Sequence, residues 1–558
     1  MYGFTIIYNN TKSFETDAKQ KMAFTHPESG KTYSFFYEQG HKFKNDQLFQ
    51  ENEHYIIGID GVILNLLQLK NEYGVSTYFD LIQQLYQQNN HSFYEPFRGN
   101  FSGFVFDKKT ERCICFTDHN ANGKLFYTQI NNEVILSPLL DTITHFKATH
   151  HLTNSLNIDA AYMLLTYGGM YENNTLINEV FKLHAGEYME LTPTSFAVNT
   201  YHDYNQVEAV EANAKKVIPQ LDELFNAAIQ LEYEKDKEYN YDHIATLSGG
   251  LDSRMNVMTA HQLGYKTHNF CFSQSNYDDQ KIAKRISDDL NETFSFISLD
   301  KAEYLTDLEE NMNIYNGLIF YLASAHYNYA LTQLDLKNTG LIHTGRIGDG
   351  ILGGFVSNNY FSSIISPQLK DRLPEMDISK YRSEETFKLY NRVFNVTIAG
   401  TYVSEQYQSY LVSPFLNPEF IECCLSIHPS LKKDSKIYID WINQLHPEIA
   451  RYKWEKTGFK PNAMWKIKFS RFSKKIKSAY YKTSNQLHKT SMNPYDYWYD
   501  NTPAVRHFFN THFDMYIGLV ENPTLNKDIT QLFNHGNTIE KSMVITLLEA
   551  IHKYQLKN

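Results

Sequence analysis

Short apolar segments alternate with turn-rich breaks through about the first 200 residues. Apolar runs of strand length between turn residues are typical of antiparallel, partly buried sheets. The pattern therefore predicts an N-terminal sandwich of antiparallel sheets with a few helices. The segments that carry it are 4–8, 33–37, 54–60, 101–107, 113–117 and 134–138.

The periodicity changes shortly after residue 200. The stretch 196–216 is polar and has no clear period, and from Val217 onwards apolar residues recur at helical spacing. We place a boundary near residues 205–212, which gives an N-terminal domain at 1–207 and a C-terminal domain at 208–558. The helical positions are Val217, Leu221, Leu224, Phe225, Ala228 and Leu231.

Beyond the boundary, buried-strand patterns alternate with helical patterns. Apolar runs at 243–247 and 267–273 are each followed by a helical pattern, and a further run begins at 341. Strands that alternate with helices indicate a doubly wound parallel sheet. The predicted fold class is α/β, with added helices after about residue 380.

The amino-acid composition mainly excludes other classes of protein. Of 558 residues, 42% are hydrophobic and 21% charged, which excludes a disordered or collagen-like chain. The net charge of −11 argues against nucleic acid binding through bulk charge. The five cysteines form no C-x-x-C motif, and we find no secretion signal and no apolar run long enough to span a membrane. We expect a cytoplasmic protein.

The strongest chemical signal is the run Ser248-Gly249-Gly250-Leu251-Asp252-Ser253, between a predicted strand and a predicted helix. Two glycines permit a tight turn, and backbone N–H groups, hydroxyls and a helix N-terminus can together hold phosphate. A carboxylate among phosphates is favourable when it binds a divalent cation, so Asp252 is a Mg²⁺ candidate. The structural alternative is an ordinary strand-to-helix turn with a serine N-cap.

This run resembles the pyrophosphate loop of ATP pyrophosphatases, and with its surroundings it is similar to the asparagine synthetase family over nearly the whole chain. Thr344-Gly345-Arg346-Ile347-Gly348-Asp349-Gly350 lies where that family has its second loop. The resemblance implies that ATP and Mg²⁺ are the cofactors, with Asp252 and Asp349 as metal ligands. The implied nucleotide-binding residues are Leu247, Ser248, Gly249, Gly250, Asp252, Ser253, Phe272, Thr344 and Gly345.

Two downstream segments continue the resemblance. Residues 413–417 resemble the family's Pro-Phe-Leu-Asp, and 456–459 resemble the end of its Arg-x-Lys-x-Gly-Phe motif. Lys456 thereby matches the catalytic lysine, whose fixed charge would stabilise the negative charge that develops during adenylation. For a lysine outside such a motif, a solvated surface position would be the ordinary interpretation.

The N-terminal part resembles the family's glutaminase domain, which has the N-terminal-nucleophile fold. The matching segments are 59–65, 97–107 and 123–127. The chemistry differs, because Tyr2 stands where the nucleophilic cysteine is usual, Asp60 replaces the oxyanion-hole asparagine, and Val62 replaces a substrate-binding glutamate. We predict an inactive glutaminase-like domain, as in the β-lactam synthetase and lasso-peptide cyclase branches.

Arg346 is the most informative departure from the family pattern. Its guanidinium stays protonated near neutral pH and cannot serve as a base. We expect it to bind a substrate carboxylate or phosphate bidentately; the alternative is an ion pair with a nearby acidic residue.

Two other groups of residues receive structural interpretations. Asp278 and Asp279 precede a helical pattern, and N-capping is favoured over a ligand role. The 22 histidines show no spacing that is typical of zinc sites.

Residues 465–489 carry eight Lys or Arg and no acid, with apolar residues at helical spacing. This predicts a basic amphipathic helix, for which a solvated basic face is the ordinary interpretation. A peripheral contact with an anionic membrane or polymer is the functional alternative.

The predicted function is an ATP-dependent amide ligase that forms AMP and pyrophosphate. It would adenylate a carboxylate substrate for attack by an amine, without using glutamine, and the substrates would include a peptide or a glycan precursor. The alternatives are a different ATP pyrophosphatase, such as a tRNA-modifying enzyme, and an inactive family member that binds a nucleotide or a partner.

Overall fold

The computed structural model describes residues 2–12, 14–357, 359–463 and 487–558. Its N-terminal part contains two antiparallel sheets, with strand orders β10-β8-β9-β1-β3-β2 and β12-β11-β7-β6-β5-β4. The strands are β1 (Gly3–Tyr8), β2 (Gln20–Thr25), β3 (Thr32–Glu38), β4 (Leu48–Glu51), β5 (Tyr55–Ile63), β6 (Gly99–Asp107), β7 (Arg112–Thr117), β8 (Phe126–Ile130), β9 (Glu133–Ser137), β10 (Phe181–Lys182), β11 (Glu187–Thr192) and β12 (Ser195–Thr200).

The two antiparallel sheets pack face to face through aromatic side chains. Phe104 lies 5.1 Å from Phe4 and 5.2 Å from Phe35, measured between ring centroids. Successive residues of a strand face opposite sides, so Val105 on the same strand packs outwards into a second cluster. Helices cover both outer faces, which explains why β6 is buried along nearly its whole length.

The helices on this sandwich begin with α1 and α2, which pack on β5 and β6, and α3, which packs on β8 and β9. A fourth helix, α4, contacts the C-terminal part of the chain. Their bounds are α1 (Leu66–Glu72), α2 (Tyr78–Asn89), α3 (Leu140–Thr149) and α4 (Ile158–Tyr167).

The C-terminal part is built on a parallel sheet with the order β15-β14-β13-β16-β17. The chain passes from β13 outwards to β14 and β15, and then returns to the other side of β13 for β16. In doubly wound sheets, ligands bind beside the carboxyl ends of the strands where the order reverses. The strands are β13 (Asp242–Thr246), β14 (His268–Ser273), β15 (Phe294–Ser298), β16 (Thr339–His343) and β17 (Tyr410–Val412).

Helices cover both faces of this sheet and form most of the chain after residue 380, and the fold class predicted from the sequence is confirmed. They are α5 (Ala214–Glu238), α6 (Leu251–Gln262), α7 (Asp278–Leu290), α8 (Leu308–Tyr315), α9 (Ala325–Thr332), α10 (Glu384–Lys388), α11 (Ala399–Gln406), α12 (Pro418–Ser426), α13 (Pro429–Lys432), α14 (Lys436–Leu445), α15 (Tyr495–Asn501), α16 (Pro503–Tyr516), α17 (Pro523–His535) and α18 (Thr538–Lys553).

The N-terminal and C-terminal parts are joined by polar contacts as well as by apolar packing. A fully buried ion pair links Lys235 Nζ on α5 to Asp46 at 2.7 Å. Arg98 Nε donates to Glu419 Oε1 on α12 at 2.8 Å. Within the described ranges, no helix has the length and apolar character needed to cross a membrane.

Candidate active site

The predicted site residues lie around one cavity of about 580 Å³ at the carboxyl ends of β13, β14 and β16. This is the position where the strand order reverses, as expected for a nucleotide site in a doubly wound sheet. The predicted residues that line the cavity are Leu247, Ser248, Gly250, Asp252, Ser253, Phe272, Thr344, Gly345, Arg346, Asp349 and Lys456.

The first loop is held by hydrogen bonds between its own serines. Ser248 N donates to Ser253 Oγ at 3.0 Å, and the hydroxyls of Ser248 and Ser253 lie 2.9 Å apart. Gly250 is the N-cap of α6 and has no side chain to cover the first turn of the helix. Hydroxyls and a helix N-terminus are thus brought together at one side of the cavity, an arrangement that can hold an anion.

Gly249 differs from the other predicted site residues because it does not line the cavity. Its N–H donates to Asp279 Oδ1 at 2.7 Å. Asp278 and Asp279 were expected to cap α7, but Tyr277 is the N-cap, and both acids lie in the first turn. The capping interpretation is therefore wrong for Asp279, whose carboxylate fixes the first loop instead.

The two predicted metal ligands lie next to each other at the centre of the site. Asp252 Oδ1 accepts the Tyr438 hydroxyl at 2.8 Å, and Asp252 Oδ2 accepts the backbone N–H of Asp349, also at 2.8 Å. Burial, and then the charge of Asp349, raise the pKa of Asp252. A bound divalent cation would relieve this repulsion, and carboxylate oxygens are the ligands that Mg²⁺ prefers.

The two loops touch through their backbones. A Cβ atom at Gly345 would lie 2.0 Å from the carbonyl carbon of Asp252, so only glycine fits at this position. Ile347, two residues further on, has a φ of 70°, which is uncommon for a β-branched residue. Ser413 Oγ donates to the carbonyl of Arg346 at 3.1 Å, so the 413–417 segment supports the second loop.

Lys456 reaches the site from a short closed loop. Trp454 N donates to Phe459 O at 2.9 Å, and Gly458 N donates to Trp454 O at 2.7 Å. Lys456 Nζ lies 3.0 Å from Asp349 Oδ2, and about half of its side chain is exposed. The closed loop thus places a cation beside the two carboxylates.

Arg254, for which no role was predicted, connects this loop to the first loop. It is fully buried, and its guanidinium donates to Gly249 O at 2.9 Å and to Lys453 O at 2.7 Å. Glu455 N donates to the same Gly249 carbonyl at 3.1 Å. The position of Lys456 therefore depends on a buried cation that connects the two segments.

Arg346 also lines the cavity and forms no ion pair with any carboxylate in the described part of the chain. Its Nη1 donates to Thr401 Oγ1 at 3.0 Å, while its Nε is buried without a partner there. Burial lowers the pKa of Arg346 to about 10, so it remains a cation at neutral pH. The ion pair that was the alternative to a ligand-binding role is thus not formed.

A second cavity, of about 400 Å³, lies where the N-terminal domain meets β17 and α11. Tyr2 and Asp60 line this cavity, and none of its lining residues is a cysteine. Val62 is fully buried in an apolar cluster with Phe43 and does not line it. The three positions that depart from the glutaminase pattern are thus two cavity-lining residues and one core residue.

One group of described residues could hold a metal ion, namely Asp236, His243 and His343. His343 Nε2 lies 2.9 Å from Asp236 Oδ2, and His343 Nδ1 lies 3.4 Å from Glu232 Oε2. These hydrogen bonds outweigh burial and raise the pKa of His343. The contacts fit a charged histidine held between two carboxylates.

The predicted basic helix at 465–489 lies almost wholly outside the described residues, since 464–486 are not described. The membrane and polymer alternatives for this segment therefore stay predictions.

Comparisons with known proteins match both parts of the chain. The glutamine amidotransferase domain model matches residues 41–202, and the asparagine synthase model matches residues 220–408. No similar protein is found among curated sequences.

Solved structures show only slight likeness. Glutamine phosphoribosylpyrophosphate amidotransferase from B. subtilis, complexed with ADP and GMP, is 11% identical, with a TM-score of 0.24 and coverage of 53% of this chain and 85% of that one. NMN synthetase from Francisella tularensis is 13% identical, with a TM-score of 0.18 and coverage of 40% and 97%.

The two domain matches define a ligase of the ATP-pyrophosphatase type with an amidotransferase-like domain before it. The chain belongs to the asparagine synthetase family.

Proposed function

We propose that the protein is an amide ligase that uses Mg·ATP to adenylate a substrate carboxylate and releases pyrophosphate and AMP. The observation that supports this most strongly is the grouping of Asp252, Asp349 and Lys456 beside the serine hydroxyls of the first loop. Two carboxylates and a cation at a phosphate-binding loop suit chemistry in which charge develops on phosphorus and on departing pyrophosphate.

The proposed reaction has two steps. A carboxylate oxygen of the substrate attacks the α-phosphorus of ATP, the bond to the bridging oxygen breaks, and pyrophosphate leaves. An amine nitrogen then attacks the acyl carbon, a proton leaves the nitrogen, and AMP departs with the electrons of the acyl–oxygen bond. Mg²⁺, held by Asp252 and Asp349, would neutralise phosphate charge.

Each of the predicted site residues has its own role in the proposed reaction. Ser248, Gly250 and Ser253 bind the pyrophosphate portion of ATP, with Gly249 shaping the loop. Lys456 stabilises the charge that develops at the α-phosphate. Thr344 and Gly345 line the nucleotide. Arg346 binds a carboxylate or phosphate of the substrate, because it is a buried cation that has no counter-ion among the described residues.

The amine is proposed to come from a substrate or from free ammonia, not from glutamine. The N-terminal cavity has no cysteine among its lining residues, and Asp60 there replaces an amide donor with a carboxylate. When it is ionised, a carboxylate at this position repels an oxyanion, whereas an amide donates a hydrogen bond to it. A carboxylate-bearing peptide or glycan precursor remains the proposed substrate class.

The test is product analysis with purified protein, Mg·ATP and a panel of carboxylates and amines. We expect AMP and pyrophosphate in equal amounts, dependent on one carboxylate and reduced at least about 100-fold in Asp252→Asn and Lys456→Ala. Exposed Asp371 and Lys266 provide the controls Asp371→Asn and Lys266→Ala, which should keep full activity. ATP binding without turnover would favour an inactive family member that binds a nucleotide or a partner. ATP turnover that depends on tRNA would favour a tRNA-modifying ATP pyrophosphatase.

A further inference from the structure

Two histidines and an aspartate converge where α5 packs against β13 and β16. His343 Nε2 lies 2.9 Å from Asp236 Oδ2, and His243 Nδ1 lies 3.2 Å from the same oxygen. One ligand atom of each side chain lies within 4.8 Å of the other two. Imidazole nitrogens and carboxylate oxygens are common ligands of Zn²⁺ in proteins. The group therefore has the composition of a zinc site.

The distances in the group are close to those of a four-coordinate zinc site. Bonds of about 2.0 Å in a tetrahedral arrangement place neighbouring ligand atoms about 3.3 Å apart. The two distances to Asp236 Oδ2 are slightly shorter, so a small outward shift of the histidine rings makes room for the ion. His243 is the partly exposed member, with 11% of its side chain accessible, so water can reach a fourth position.

The neighbours of these side chains fix the orientation that a metal ion requires. Asp236 Oδ1 accepts the backbone N–H of Leu341 at 2.9 Å, which leaves Oδ2 turned to the histidines. The second ring nitrogen of His343, Nδ1, lies 3.4 Å from Glu232 Oε2. The Tyr233 ring stacks on His343 at a centroid distance of 3.7 Å. A carboxylate behind a metal-bound histidine is the usual outer support of such sites.

The charge of the group also favours a divalent cation. Glu232 and Asp236 are both buried, and within the described ranges no lysine or arginine forms an ion pair with either carboxylate. Buried charges are costly unless they are balanced. A proton on His343 balances one of the two negative charges, whereas one Zn²⁺ ion bound to neutral histidines balances both.

We propose that Asp236, His243 and His343 bind a Zn²⁺ ion, with water as the fourth ligand and Glu232 supporting His343. Nitrogen ligands favour Zn²⁺ over Mg²⁺, which prefers oxygen ligands. The site is therefore distinct in chemistry from the pair of carboxylates, Asp252 and Asp349, in the ATP cavity.

The zinc ion would join three elements beside the ATP cavity. Asp236 lies on α5, His243 on β13, and His343 is the last residue of β16. Thr344 directly follows His343 and lines the ATP cavity as part of the second loop. Zinc would thus hold the strand end from which this loop begins, and an ion that binds only the folded chain raises its Tm.

The test uses the full chain without nucleotide, first treated with a chelator and then titrated with ZnCl₂ or CoCl₂. Calorimetry should show one saturable equivalent of Zn²⁺ per chain that Mg²⁺ does not displace. Co²⁺ in the same site should give the absorption of a tetrahedral complex. Asp236→Asn and His243→Gln should each weaken Zn²⁺ binding at least about 100-fold, and Glu232→Gln about 10-fold.

Exposed His507 on α16 provides the matched control, His507→Gln, which should bind Zn²⁺ as the wild type does. Zn²⁺ should raise the Tm of the wild type and not that of His243→Gln.

Four outcomes would overturn the proposal: no saturable equivalent of Zn²⁺, an octahedral cobalt spectrum, unchanged affinity in both Asp236→Asn and His243→Gln, or an equal rise in Tm with and without His243. If Asp236→Asn fails to fold, His243→Gln decides alone, because His243 is partly exposed. Since no nucleotide is present and no turnover is measured, failure here leaves the proposed ligase activity untouched.

Discussion

At the scale of single residues, the chemistry of the ATP cavity depends on charges that are placed before any ligand binds. Tyr438 and the backbone of Asp349 both donate to Asp252, and Lys456 lies beside Asp349. Preorganised charge of this kind stabilises a transition state without reorganisation during the reaction. Arg346 is the exception, because its counter-charge must come from outside the described residues.

The role of Arg346 leads to a kinetic prediction. Arg346→Gln should raise the KM for the carboxylate substrate about 10- to 100-fold, because a charge-assisted hydrogen bond is lost, while Mg·ATP affinity stays near the wild-type value. Steady-state kinetics and nucleotide titration give the two quantities. Thr401→Val, which removes only the Arg346 partner, should have a smaller effect. A Mg·ATP affinity that falls as much as the substrate affinity would contradict the assignment.

At the scale of elements, the site depends on two loops whose backbones approach each other so closely that a side chain at Gly345 would not fit. Gly345→Ala would place a methyl group against the Asp252 backbone. We expect the loops to separate and Mg·ATP binding, measured by calorimetry, to weaken at least about ten-fold. Gly518→Ala is the control, because no atom lies within 4 Å of a Cβ there. Equal affinity in both variants would show that the loop contact is unimportant.

The strands, helices and loops that carry the site can be predicted from local sequence, because each loop follows an apolar strand and its residues are contiguous. Asn417 illustrates this: its side chain accepts the N–H of Phe420 as the N-cap of α12, a role that aspartate in the family pattern could also fill. Contacts between distant segments could not be predicted from one sequence. Tyr438 and Asp252 are 186 residues apart, and nothing local marks their hydrogen bond.

The interpretation of Asp279 was wrong for a related reason. A pair of acids before a helical pattern fits N-capping, but the helix begins at Asp278, so Asp279 points to the first loop. The grouping of Asp236, His243 and His343 could not be predicted either, because their spacing along the chain carries no information about their closeness in space. Arg254 had a usable signal, since it directly follows the six-residue loop motif.

At the scale of the whole molecule, buried neutral histidines make the free energy of unfolding depend on pH. Burial lowers the pKa of His184 from 6.5 to about 3, and its Nε2 has no partner in the described structure. The unfolded chain therefore binds a proton that the folded protein excludes, and stability is lost as the pH falls from 6.5 towards 3. This side chain contributes about 2 kcal/mol of destabilisation between pH 7 and pH 5.

Urea unfolding at pH 7 and pH 5 checks this prediction. His184→Gln should reduce the difference in the free energy of unfolding between the two pH values by about 2 kcal/mol. The same difference in the variant and the wild type would show that His184 is protonated in the folded protein or becomes solvated.

The whole molecule joins a nucleotide-binding sheet to an amidotransferase-like sandwich through both apolar packing and polar contacts. The buried pair of Lys235 and Asp46, and the contact of Arg98 with Glu419, connect residues far apart in the chain. The enclosed cavity with Asp60 and Glu405 exists because these parts are held together.

In the proposed reaction, a carboxylate is adenylated before any amine reacts. Exchange of labelled pyrophosphate into ATP, measured with each carboxylate of the panel and no amine, tests it most directly. We predict exchange that requires one carboxylate and Mg²⁺, and that is lost in Asp252→Asn and Lys456→Ala. Release of ADP and phosphate in place of exchange, or exchange that persists in both variants, would contradict the account.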